Sequence, residues 1–124
     1  MQMDRKKILI ADDDPALTEC LEVLLRLSDY EVFVAYDGED AVLKARSLVP
    51  DLILMDMLMP RVNGFDACKI IKGDRALEQI PLIALTSLAQ MGDIEKAYAA
   101  GADDYLHKPF ENKRLLQKLK KYLT

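Results

Sequence analysis

The sequence predicts an α/β fold, a doubly wound sheet of five parallel strands with five helices, in one domain over residues 1–124. Two observations carry this. Short apolar runs recur at 8–11, 32–36, 52–55, 82–85 and 105–106, about the length of buried strands. Between them, apolar residues recur at three and four, the period of a helix packed by one face. Strands alternating with helices call for right-handed crossovers that cover both faces of a parallel sheet.

Each element has a local cause. After Ile8-Leu9-Ile10-Ala11, Asp14 and Pro15 start the first helix. Asp serves as N-cap, and Pro takes the first helical position, where its missing N–H costs nothing. Leu17, Cys20, Leu21, Leu24 and Leu25 make that helix's apolar stripe. The second strand, Glu31-Val32-Phe33-Val34-Ala35, begins with a charge, as an edge strand does. Asp37-Gly38 opens the second helix, whose inner face is Ala41, Val42 and Ala45. The runs 52–55 and 82–85 are apolar throughout, as strands buried on both faces are. Asn63-Gly64 breaks the chain before Phe65, Cys68 and Ile71. The stretch 90–100 is alanine-rich and weakly patterned, and ends at Gly101, a good C-terminal cap. Leu115, Leu116, Leu119 and Leu123 give the last helix its stripe, with Lys113, Lys118, Lys120 and Lys121 mostly around its other sides.

Composition narrows the function classes. The 124 residues suffice for one core and not comfortably two. The 17 basic and 21 acidic residues leave a net charge of −4, with no basic excess to suggest nucleic-acid binding by this domain. No apolar stretch approaches the roughly 20 residues that span a bilayer. The charged segment 1–7 runs directly into a strand rather than into the apolar core of a signal peptide. Cys20 and Cys68, both on apolar helix faces, are expected to be buried free thiols. A reducing cytoplasm, away from membranes, is the expected setting.

The polar residues at the strand ends carry the chemistry. Asp12 and Asp13 follow the first run, Asp56 the third, Thr86 and Ser87 the fourth, and Lys108 the fifth. In a parallel α/β sheet these C-terminal ends converge on one crevice. Asp14 is accounted for by capping. The other three carboxylates raise each other's pKa unless a cation offsets them. Mg2+ is the natural guest, since it takes oxygen ligands and keeps places for water or phosphate. Asp56 stands alone in Leu54-Met55-Asp56-Met57-Leu58-Met59. A buried carboxylate there needs a reason, and metal binding or service as a nucleophile supplies one. Phosphoryl transfer asks mainly for positioning and charge neutralisation; Lys108 and the Thr86 hydroxyl suit those parts. Taken alone, Lys108 reads as an ordinary surface lysine, but its place before Pro109, Phe110 and a new helix argues for the site.

With these residues assembled, the chain resembles the CheY-like receiver domain of two-component response regulators. The resemblance lies in Ile8-Leu9-Ile10-Ala11-Asp12-Asp13-Asp14-Pro15, in Asp51-Leu52-Ile53-Leu54-Met55-Asp56 with Met59-Pro60 and Gly64, in Ala84-Leu85-Thr86-Ser87, and in the run from Gly101 to Phe110. It implies a flavodoxin-like sheet in the order 2-1-3-4-5. It also implies that Asp56 accepts a phosphoryl group from a histidine kinase or a histidine phosphotransfer protein. Asp13, Asp56 and the Leu58 carbonyl would bind Mg2+ directly, and Asp12 largely through water. Thr86 would bond the phosphoryl group, Lys108 would pair with it, and Tyr105 would act with Thr86 as the switch. The resemblance further implies a cis bond between Lys108 and Pro109. Such a domain is not a turnover enzyme; it assists its own phosphorylation and slow dephosphorylation.

Rival readings fit less well. A nucleotide-binding module wants a glycine-rich loop after the first strand, where this chain has Asp-Asp-Asp-Pro. An aspartyl phosphatase wants a second Asp two residues beyond the nucleophile, where this chain has Leu58. A scaffold that only binds a partner has no use for the acidic cluster. By the same resemblance Leu58 and Leu88 would flank the site; neither can hold an attacking water by hydrogen bonds, so slow loss of the phosphoryl group is expected. The face formed by the fourth helix, fifth strand and fifth helix mixes Asp93, Glu95, Asp103 and Asp104 with Lys113, Arg114 and Lys118. These charges either support a homodimer or partner site or merely solvate the surface. No DNA-binding or second catalytic motif is visible in these residues, which suits a stand-alone regulator or a receiver from a longer one.

Overall fold

The computed structural model describes residues 5–59, 61–87 and 91–123, with the side chain of Met91 excepted. Five strands alternate with five helices: β1 (Lys7–Ala11), α1 (Pro15–Leu27), β2 (Glu31–Ala35), α2 (Gly38–Leu48), β3 (Leu52–Asp56), α3 (Gly64–Lys72), β4 (Leu82–Thr86), α4 (Met91–Ala99), β5 (Asp104–His107) and α5 (Asn112–Leu123). All four strand pairings are parallel, in the order β2-β1-β3-β4-β5. The charged start of β2 does mark a sheet edge.

Side chains alternate across a strand with period two, and the core divides accordingly. Ile8 and Ile10 of β1, Leu52 and Leu54 of β3, and Ile83 and Leu85 of β4 pack under α1 and α5, against Leu21, Leu25, Leu115 and Leu119. Leu9, Ile53, Met55, Leu82 and Ala84 face the other way, against Ala41 and Ala45 of α2, Phe65, Cys68 and Ile71 of α3, and Ala97 of α4. The sheet is buried on both faces, which explains its unbroken apolar strands.

Helix starts follow the capping signals. Asp14 accepts the backbone N–H groups of Ala16 and Leu17, Asp37 that of Asp40, and Asn63 that of Asp66. Gly101 turns the chain after α4 at φ 109°, a conformation that glycine adopts without steric cost.

Two expectations need correction. Cys68 is buried, but Cys20 is exposed. The innermost line of α1 runs through Thr18, Leu21 and Leu25, which leaves Cys20 on the flank. Thr18 can take an inner place because its hydroxyl donates to the Pro15 carbonyl at 3.1 Å, leaving its methyl to pack. The second correction concerns Asp104, expected as a surface charge; its neighbour Asp103 is exposed, as expected, but is paired within the chain. Asp103 accepts from Lys72 Nζ at 2.7 Å and from the Leu82 N–H at 2.8 Å. Asp104 is buried, with Lys118 Nζ 3.0 Å from both its oxygens and the Tyr122 hydroxyl donating to it at 3.1 Å. Both carboxylates are therefore engaged within the chain.

Candidate functional site

The strand order reverses between β1 and β3, so a crevice opens beyond their C-terminal ends. Asp12 follows β1 directly. It is fully buried, and its backbone N–H donates to the Ala35 carbonyl at 3.0 Å. One of its carboxylate oxygens accepts the Asp14 N–H at 3.0 Å, and the other accepts Lys108 Nζ at 2.6 Å. Asp13, the next residue, is exposed at the mouth of the crevice.

Asp56 ends β3 and is 7% exposed. Its Oδ1 accepts the Leu58 N–H at 3.2 Å, and its Oδ2 lies 3.7 Å from Lys108 Nζ. Its carboxyl is pushed up to about 6, chiefly by burial and with help from Asp12 and Asp13, against the downward pull of the Leu58 N–H and Lys108. One carboxylate oxygen from each of Asp12, Asp13 and Asp56 lies within 4.8 Å of the others. An all-oxygen donor set this close suits a small hard cation rather than a soft one.

The other strand ends complete the wall. Thr86 ends β4 and is buried, and its carbonyl accepts the Lys108 N–H at 2.7 Å. The Lys108–Pro109 bond is cis, and Lys108 turns its ammonium back to Asp12 as the chain leaves for α5. Leu58 is half exposed beside Asp56; Leu88, expected on the opposite flank, lies outside the described residues. Tyr105 on β5 is partly buried and meets Tyr98 of α4 edge to face, ring centres 6.1 Å apart. The site thus brings together Asp12, Asp13, Asp56 and Lys108 directly, with Thr86 on the neighbouring strand end and Tyr105 one strand further out.

A groove of about 440 Å³ runs from Lys108 and Ser87 along α1 past Asp14, Leu17 and Cys20 to Pro109 and Phe110. Sequence reasoning did not foresee it, because it depends on how α1 and the start of α5 sit across the sheet.

The family model of the response regulator receiver domain matches residues 8–120. The chain belongs to that family. The receiver domain is 37% identical over 120 residues to the DNA-binding response regulator MtrA of Mycolicibacterium smegmatis, covering 97% of this chain and 51% of that protein. It therefore spans about half the length of the curated relatives it matches. Among solved structures, it resembles the chemotaxis protein CheY4 of Vibrio cholerae with a TM-score of 0.91 and 30% identity, covering 97% of this chain and all of that one. The receiver domain of a sensor histidine kinase from Pseudomonas aeruginosa matches with a TM-score of 0.89 and 35% identity over 96% of this chain and 98% of that one. That structure carries a magnesium ion coordinated in its active-site cleft. Receiver domains are signalling switches, and the acidic cluster of this one stands where the sheet's crevice opens. Among the described residues, no helix is long and apolar enough to cross a membrane.

Proposed function

We propose that this receiver domain accepts a phosphoryl group on Asp56 from the phosphohistidine of a histidine kinase or histidine phosphotransfer protein, and that the modification changes its partner-binding face. The observation that carries the reading is the meeting of Asp56 with two further carboxylates and the Lys108 ammonium at the ends of three strands. A carboxylate oxygen of Asp56 forms the bond to phosphorus as the bond from phosphorus to the donor's imidazole nitrogen breaks; the imidazole keeps that electron pair. Lys108, within reach of Asp56, neutralises charge on the transferred group, and the Thr86 hydroxyl donates to one of its oxygens.

Asp13, Asp56 and the Leu58 carbonyl would hold Mg2+, with Asp12 acting largely through water. Bound there, Mg2+ offsets the carboxylate charges and those of the incoming phosphoryl oxygens. Asp12 already holds Lys108 at 2.6 Å, so its part is to orient the lysine as well as to add negative charge. Leu58 lacks any group that could direct a water at the acyl phosphate, in keeping with slow self-dephosphorylation.

The test is Mg2+-dependent labelling by acetyl phosphate. Wild-type protein should take up one phosphoryl group, and Asp56→Asn should take up none while keeping its circular dichroism spectrum. Undiminished labelling of Asp56→Asn would place the acceptor elsewhere.

A further inference from the structure

Gly38 reads in the sequence only as a helix opener, yet its backbone is packed against the loop that follows Asp56. A β-carbon on Gly38 would fall 1.6 Å from the Val62 carbonyl oxygen and 2.5 Å from its carbonyl carbon. Both are backbone atoms, so no rotamer change relieves the overlap, and a close-packed interior gives little room for retreat. The other end of this loop is held in the same way. A β-carbon on Gly64 would fall 2.1 Å from the Asp56 carbonyl oxygen and 2.4 Å from Met57 Cα, and the Gly64 N–H donates to the Met57 carbonyl at 3.1 Å.

The segment between Asp56 and α3 is therefore clamped by two contacts of backbone on backbone, one at the acceptor and one at α2. Arg61 reaches across the second. Its backbone lies in the left-handed region, at φ 63°, and its guanidinium lies 3.9 Å from Asp37 and 3.6 Å from Glu39, on either side of Gly38.

We propose that Gly38 is a positioning residue for the acceptor site. The close seat of α2 on Val62 sets the place of the described residues 57–59 and 61–63, and so that of the Leu58 carbonyl relative to the Asp56 carboxylate. The inference rests on the proposed function in one respect, that Leu58 and Asp56 share a divalent cation. The competing explanation is that Gly38 only lets two elements pack, in which case replacing it costs stability and nothing else.

The experiment reads Mg2+ affinity by calorimetry, backbone amide shifts of metal-free protein, and labelling by acetyl phosphate, at a temperature where each variant is fully folded. Gly38→Ala should lose about ten-fold or more in Mg2+ affinity, the scale of losing a partner that orients a metal ligand. Its amide signals at Met57, Leu58 and Val62 should move before any metal is added. Gly92→Ala is the control: apart from its chain neighbours and the backbone of its own helix, no atom of the described residues lies within 4 Å of its added methyl, and its Mg2+ affinity should match wild type. A folded Gly38→Ala that binds Mg2+ as wild type does overturns the proposal.

Should Gly38→Ala fail to fold, Arg61→Gly decides. Glycine relieves the left-handed backbone while removing both ion pairs, and a roughly two- to five-fold weaker affinity is expected, the scale of exposed pairs. Unchanged affinity in a folded Arg61→Gly overturns the proposal equally. Failure of the wild type to bind Mg2+ or to be labelled refutes the proposed function instead. In that event the metal-free amide shifts still decide whether Gly38 sets the loop.

Discussion

Replacing Asp56 by Asn should stabilise the metal-free domain at neutral pH, because it removes a charge that folding must bury. Asp56 is 7% exposed, and burial pushes its carboxyl from 3.8 to about 6. A folded-state pKa above the unfolded one means that the native chain holds the extra proton between the two values. The stability contributed by the neutral form is therefore full at low pH and is lost as pH rises through 6. A gap of about 2 units is worth about 3 kcal/mol at pH 7.5, since each unit is about 1.4 kcal/mol. Asparagine keeps the shape, its carbonyl oxygen can still accept the Leu58 N–H, and Lys108 keeps its 2.6 Å bond to Asp12. The variant should gain up to about 3 kcal/mol, or on the order of 10 °C in melting midpoint for a domain of this size. Urea unfolding in EDTA, followed by circular dichroism, measures it. The gain should shrink to about a third at pH 4.5. Added Mg2+ at pH 7.5 should also narrow it, because a ligand that binds only the folded wild type stabilises it by mass action. A variant no more stable than wild type at pH 7.5, or a gain that persists undiminished at pH 4.5, would refute the reasoning.

Three further outcomes are expected. Asp104→Asn should cost about 1–3 kcal/mol at pH 7 in urea unfolding. Burial raises the Asp104 carboxyl, but Lys118, the Tyr105 N–H and Tyr122 outweigh it and hold it below its ordinary value. That stability is present above the unfolded pKa and is lost as pH falls through the folded one, so a deficit that grows toward low pH would contradict the network. Asp13→Ala should weaken Mg2+ binding more than Asp12→Ala, and equal affinities by calorimetry would refute that ranking. Leu58→Asn combined with Leu88→Glu should speed loss of the phosphoryl group, and an unchanged decay rate would place control of water access elsewhere.

The fold was legible because its signals are local. Apolar runs bounded by Asp-Pro, Asp-Gly and Asn-Gly are readable one segment at a time, and the strand-end positions of Asp12, Asp13, Asp56, Thr86 and Lys108 follow once the strands are placed. The meeting of Asp12, Asp13, Asp56 and Lys108 was legible for the same reason: a parallel sheet sends every C-terminal end to the same side. What escaped was anything decided by the rotation of a helix about its axis. Thr18 and Cys20 lie about 160° apart around α1, on opposite flanks of the apolar stripe, and the pattern at three and four did not fix which flank turns inward; the structure buries Thr18 and leaves Cys20 exposed.

Charge is harder to read than apolar pattern, and Asp104 shows why. In sequence, Asp103-Asp104 beside a weakly patterned helix looks like solvated surface, and Lys118 is one lysine among several on α5. Burial of Asp104 depends on α5 closing over the edge of β5, a contact between segments that no local period records. Once closed, the carboxylate must be satisfied because an unpaired buried charge is costly, and Lys118 and Tyr122 do so. Burial and Asp104 in turn push the Tyr122 hydroxyl up to about 12, so it stays a donor at any physiological pH. The α4–β5–α5 face therefore presents fewer free charges than its sequence suggests. Asp93 and Glu95 of α4 remain available on it, as do Lys113, Arg114 and Lys121 of α5. Any partner or second copy that uses this face by charge pairing has to find those residues, because Asp104 and Lys118 are already spent on holding α5 to the sheet.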